Sequence, residues 1–129
     1  MRFGILIAFS GLMAINGNAL AEGSLNVYNW SDYIAEDTIA NFEAETGIKV
    51  TYDMYDSNEV LEAKMLAGSS GYDLVVPTAD FLARGREAGA YQDMDLSRIP
   101  NASNQDSEIQ AQADRMVGSN AAGLVYMWG

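Results

Sequence analysis

Val27-Tyr28-Asn29-Trp30-Ser31-Asp32-Tyr33 begins as a strand and ends as a loop. Up to Tyr28 the β-branched and aromatic side chains suit a buried sheet. From Trp30 onward an indole, a hydroxyl, a carboxylate and a phenol follow one another without a break. That mixture is poor core material. It is good material for gripping a small polar cation, because a ring face attracts the charge and the oxygens accept its hydrogen bonds.

Working outward, Leu25 to Trp30 reads as a first strand. Asp37-Thr38 opens a helical pattern in which Ile39 and Phe42 share a face, and Gly47 is placed to end it. Ile48 to Tyr55 is a second strand, with Val50 and Tyr52 on one side and Thr51 and Asp53 on the other. Asp56-Ser57-Asn58-Glu59 offers caps and an acid for a helix that runs to Ala67 and stops at Gly68-Ser69-Ser70-Gly71. Tyr72 to Pro77 reads as a third strand, and its continuous apolar centre suits burial on both faces. Asp80 to Ala88 is a third helix closed by Gly89. Residues 97–123 are polar and small, with a capping box at Ser107-Glu108-Ile109-Gln110 and a short helix expected from Glu108 to Met116. Leu124 to Trp128 has the composition of a fourth, buried strand.

Strands alternating with helices at short spacing imply an α/β fold: a parallel sheet with helices on both faces and right-handed crossovers. In such sheets ligands sit at the carboxyl ends of the strands where the strand order reverses. With the order 2-1-3, the loop after strand one (Trp30, Ser31, Asp32, Tyr33) and the loop after strand three (Thr78, Asp80) fall on the same rim. Each residue also has a structural use. Trp30 and Tyr33 suit a rim or core aromatic, Asp32 and Asp80 suit helix N-caps, and Thr78 after Pro77 suits a turn. Two carboxylates also raise a glycosidase pair, but nothing in the sequence elevates a carboxyl pKa, and no D-x-D-x-D-G spacing supports calcium.

The 129-residue chain is 49% apolar and 19% charged, enough for a core, and its formal charge is −11. That charge disfavours nucleic acid and concentrates cations near a cleft. Cys and His are absent, which excludes disulfides, thiolate or imidazole metal sites and any imidazole-dependent triad. Residues 1–21 have the order of a secretory signal peptide: Arg2, an apolar run from Phe3 to Ile15 too short to span a bilayer, and Ala19-Leu20-Ala21 as the cleavage site. Cleavage after Ala21 removes one cation, leaving six against 18 acids and a net charge of −12. The expected address is the periplasm, with no membrane insertion after cleavage.

Tyr28-Asn29-Trp30-Ser31-Asp32-Tyr33, Asp56-Ser57-Asn58-Glu59, Tyr72-Asp73-Leu74-Val75-Val76-Pro77-Thr78 and Tyr126-Met127-Trp128-Gly129 together resemble the periplasmic polyamine-binding proteins of ABC transporters, nearest to the putrescine-binding branch. The resemblance implies a periplasmic-binding-protein type II lobe that captures putrescine or spermidine for a membrane permease, without cofactor, metal or catalysis, and as a monomer. It implies that Trp30, Ser31 and Tyr33 contact the polyamine, that Asp32 lies in or beside the pocket, and that Thr78 adds a hydroxyl. Asp80 stands where relatives often carry a small polar residue, and an added carboxylate favours a cation or changes chain-length preference. Val125 departs from a frequent proline. Relatives run beyond twice this length, so residues 22–129 are expected to form the first lobe of a truncated chain whose second lobe is missing. Competing expectations are another small solute on the same fold, an enzyme such as a transferase, and a non-functional remnant.

Overall fold

The computed structural model describes residues 23–129, and the expected leader peptide lies outside them. Three parallel strands form one sheet: β1 (Gly23–Trp30), β2 (Ile48–Tyr55) and β3 (Leu74–Val75), in the order β2-β1-β3. This is the expected 2-1-3 arrangement. The helices are α1 (Thr38–Thr46), α2 (Asn58–Leu66), α3 (Ala79–Glu87) and α4 (Ser107–Val117), with short 3-10 turns at Leu96–Arg98 and Pro100–Asn104. The sheet steps one way through α1 and the other way through α2, so right-handed crossovers lay these helices on opposite faces.

Register decides which side chains meet. Trp30 pairs with Tyr55, and Tyr28 pairs with both Asp53 and Val75, so these groups share a face. Against that face α2 packs Leu61, which is 1% exposed, and Met65. Burying one leucine contributes about 1.5–3 kcal/mol. The Tyr28 ring meets Tyr55 edge-on at 4.8 Å and stacks flat on Tyr72 at 4.5 Å. Lys64 spans that stack, its ammonium 4.8 Å and 4.9 Å from the two ring centres.

Glycine ends α1 as expected. Gly47 adopts φ 76° and donates its N–H to the Glu43 carbonyl. The Glu43 side chain then covers the outer edge of β2: it accepts the Val50 N–H at 2.8 Å and the Lys49 ammonium at 2.8 Å. Those bonds hold its carboxyl below the usual range. They also occupy a backbone donor that an exposed edge strand would otherwise offer to another chain.

Four expectations need correction. The third strand is two residues long rather than Tyr72–Pro77, and it is not buried on both faces, since Leu74 is 52% exposed beside an open groove. Side chains displace the ladder at both ends. Asp73 accepts the Asn26 N–H at 2.8 Å, and the Val76 carbonyl turns to the side chains of Trp30 and Tyr55. The Leu124–Trp128 segment forms no regular element and joins no sheet, and Trp128 is 70% exposed. Asp106, not Ser107, caps α4, accepting from Glu108 and Ile109 at 2.9 Å and 3.1 Å, because Gln110 is drawn to the chain beyond α4. Thr78, not Asp80, is the N-cap of α3, and Asp80 sits in the first turn.

Candidate functional site

The strand-to-loop change in β1 begins at Asn29, which is buried and turns its Oδ1 onto the Trp30 N–H at 2.8 Å. The last rung of the β1–β2 ladder follows, with the Ser31 N–H reaching the Tyr55 carbonyl at 3.3 Å. Asp32 follows in the left-handed region with φ 62°. Aspartate and asparagine tolerate that conformation better than most residues, so Asp32 shapes the turn as well as bringing charge to it.

The Trp30 indole is the joint between the two loops. Its Nε1–H donates to the Val76 carbonyl at 2.9 Å, two residues before Thr78. The Tyr55 hydroxyl donates to the same carbonyl, and burial pushes that phenol far above its usual range. The Trp30 ring lies 4.8 Å from Tyr55 and 6.0 Å from Tyr33. Beyond Val76, the Thr78 N–H is held by Asn58 Oδ1 at 3.1 Å, and the Thr78 hydroxyl donates to Asp80 Oδ1 at 2.6 Å. That hydroxyl, followed by backbone N–H groups of Asp80 and Phe81, holds the Asp80 carboxyl below its ordinary value, so it is ionised at neutral pH.

Trp30, Tyr33 and Thr78 line one broad opening. Ser31 lines a separate shallow depression with Tyr28, Met54, Tyr55, Asp56 and Val60. Asp32 and Asp80 are exposed. The strong donors near the joint are spent on protein acceptors, which leaves carboxylates, hydroxyl lone pairs and ring faces outward. Such a rim suits a cation. Among the described residues no three His, Cys, Asp or Glu side chains gather as a metal site.

Sequence reading missed two residues that shape this rim. Asn58 looks like a helix cap, and nothing local reveals that its side chain reaches a backbone twenty positions away. Tyr126 looks like strand, yet its hydroxyl donates to the Tyr33 carbonyl.

Fold and rim together define the chain as part of one α/β lobe of the periplasmic binding-protein type. Solved structures match it: the TpPotD lipoprotein of Treponema pallidum, with TM-score 0.68, 37% identity, 73% of this chain and 30% of that one; and the spermidine/putrescine ABC transporter substrate-binding protein PotD of Streptococcus pneumoniae, with TM-score 0.65, 32% identity, 67% of this chain and 27% of that one. By sequence the chain is a homologue of polyamine-binding periplasmic proteins. It is 52% identical to the putrescine-binding periplasmic protein PotF of Escherichia coli across 91% of its own length and 32% of that protein's. It is 49% identical to the putrescine-binding periplasmic protein SpuD of Pseudomonas aeruginosa across 99% of its own length and 36% of that protein's. The chain thus spans about a third of the curated relatives it matches. No family model matches it. By name the Escherichia and Pseudomonas relatives bind putrescine, and the Streptococcus protein is the substrate-binding protein of a spermidine/putrescine ABC transporter; among the described residues no helix is long and apolar enough to cross a membrane.

Proposed function

We propose that residues 22–129 form the polyamine-gripping lobe of an extracytoplasmic solute-binding subunit, with putrescine as the first ligand and spermidine as the second. In this reading the chain is exported with cleavage after Ala21, acts as a monomer without catalysis or cofactor, and serves an ABC permease. Trp30 and Tyr33 offer ring faces to an ammonium group or its methylenes. Ser31 and Thr78 offer hydroxyl oxygens, and Asp32 and Asp80 offer charge.

The observation that carries the reading is the bond from Trp30 Nε1 to the Val76 carbonyl, which ties the two loops into one rim. Relatives named for putrescine add the ligand class. A ring face contributes roughly 0.5–2 kcal/mol to a bound cation. A carboxylate at contact distance contributes up to about 4 kcal/mol before desolvation. Micromolar binding needs about 8 kcal/mol. This rim alone is therefore expected to bind putrescine in the range of about 1 mM. The test is a putrescine titration followed by NMR. Saturable shifts should concentrate at Trp30, Tyr33 and Thr78, and Trp30→Ala should abolish them. Shifts spread evenly over the acidic surface would refute the assigned site, and micromolar affinity would refute the energetic estimate.

A further inference from the structure

The segment after α4 is held in an unusual way. The Gln110 side-chain amide donates through Nε2 to the Gly123 carbonyl at 3.0 Å and accepts the Val125 N–H on Oε1 at 3.0 Å. Those two bonds flank Leu124 as the bonds of a neighbouring parallel strand would. A second bond from Nε2, to Asp114 Oδ1 at 2.8 Å, fixes the orientation of the amide, because an ionised carboxylate can only accept. Gln110 thus substitutes for the strand partner that the sequence of 124–128 appeared to require. Met94 adds a second anchor, its N–H reaching the Ala121 carbonyl at 2.7 Å. The anchored segment then carries the Tyr126 hydroxyl onto the Tyr33 carbonyl.

Among the described residues, three hydrogen bonds tie the Trp30–Tyr33 loop to other elements. Two bind it to neighbouring strand ends: Trp30 to Val76, and Ser31 to Tyr55. Tyr33 lies past both, beyond the left-handed Asp32. Among the described residues its carbonyl is tied from the far side of the chain alone, 93 positions away in sequence. We infer that Tyr126 is a positioning residue that locks the Tyr33 end of the rim, and that Gln110 acts on the same loop through it. The inference rests on the proposed function only where it concerns ligand; the lock itself is a property of the free chain. Among the described residues the Gln110 side chain is hydrogen-bonded to Asp114, Gly123 and Val125, so its influence on Tyr33 runs through the 123–126 segment.

The experiment is backbone 15N relaxation on the full chain without polyamine, comparing wild type, Tyr126→Phe, Gln110→Ala, Gln110→Glu and the double variant Gln110→Ala/Tyr126→Phe. Order parameters at 32–34 should fall from a rigid value of about 0.85 to below about 0.6 in Tyr126→Phe and Gln110→Ala. Those in β1 should stay unchanged. The double variant should be no looser than Tyr126→Phe alone. Gln110→Glu should fail to restore order, since it cannot donate to Gly123 and faces Asp114, whereas a space-filling role would be rescued. An unchanged loop in Tyr126→Phe, with the native far-UV spectrum kept, overturns the lock. Additive loosening in the double variant overturns the route through Tyr126. Should any glutamine variant unfold, Tyr126→Phe alone still decides the lock. If the loop loosens as stated yet putrescine never binds, the proposed function fails while the lock stands.

Discussion

The Val76 carbonyl invites a double-mutant cycle. It accepts from Trp30 Nε1 and from the Tyr55 hydroxyl. Trp30→Phe removes one donor and Tyr55→Phe the other. Both keep a ring in place, so the 4.8 Å contact between residues 30 and 55 persists in aromatic form. Each single change leaves the carbonyl with one partner, and each lost bond costs about 0.5–1.5 kcal/mol. The double change leaves it with none among the described residues, and orphaning this half-buried acceptor costs about 1–2 kcal/mol more, the lower part of the range for a fully buried one. The double variant should therefore be less stable than the sum of the singles by about 1–2 kcal/mol, a coupling typical of neighbours sharing a partner. Trp30→Phe also loses indole volume, but that loss appears on both sides of the cycle and cancels. Urea unfolding followed by far-UV circular dichroism reads the result independently of the altered fluorophore. With a slope of about 2 kcal/mol per molar, each kcal/mol moves the midpoint by about 0.5 M. Strict additivity at unchanged slope would mean that Val76 is not the joint between the loops.

Two further outcomes follow from the same geometry. Thr78→Val removes the first cause of the lowered Asp80 carboxyl, so its titration, followed by 13C NMR, should move up toward the ordinary 3.8 and stop short because the backbone donors remain. The sign follows from the depressed pKa: its contribution to stability is present above 3.8 and lost as pH falls through the folded value, so wild type and variant should differ most near neutrality and converge in acid. An unmoved Asp80 would refute the hydrogen bond. Gly85→Ala should destabilise by about 1–3 kcal/mol, even though alanine is the better helix former by about 1 kcal/mol, because a Cβ there would stand 2.3 Å from the Tyr91 ring. A thermal melt showing a gain would contradict that packing.

Much of the frame was legible because local chemistry and tertiary structure agree there. Alternation in Ile48–Tyr55, the left-handed glycine after α1 and strand-helix spacing all point one way, and the 2-1-3 order then brings Trp30 and Thr78 to one rim. The failures share a cause. At Asp73, Asp106 and Gln110 a side chain takes a backbone group that the local pattern assigned elsewhere. Composition marks Leu124–Trp128 as strand-like, but it cannot reveal that a glutamine on α4 supplies the strand partner. Asn58 and Tyr126 were invisible as site-shaping residues for the same reason, since each acts on a backbone group of another element.

The chemistry of the rim narrows what the proposed function can take. The Trp30 indole, the Tyr55 phenol and the Thr78 hydroxyl each donate to a protein oxygen. A sugar or an anion needs donors from its site, and freeing any of these three from its internal partner costs about 1 kcal/mol or more, which leaves the exposed Ser31 and Tyr33 hydroxyls to serve such a ligand. An ammonium group brings its own donors and needs only acceptors and a ring face. The chain's charge of −11 acts in the same direction at longer range, and salt should weaken that share first. Under the proposed function a diamine suits the rim because it needs acceptors and ring faces, whereas a ligand that called on the three engaged donors would compete with bonds already formed.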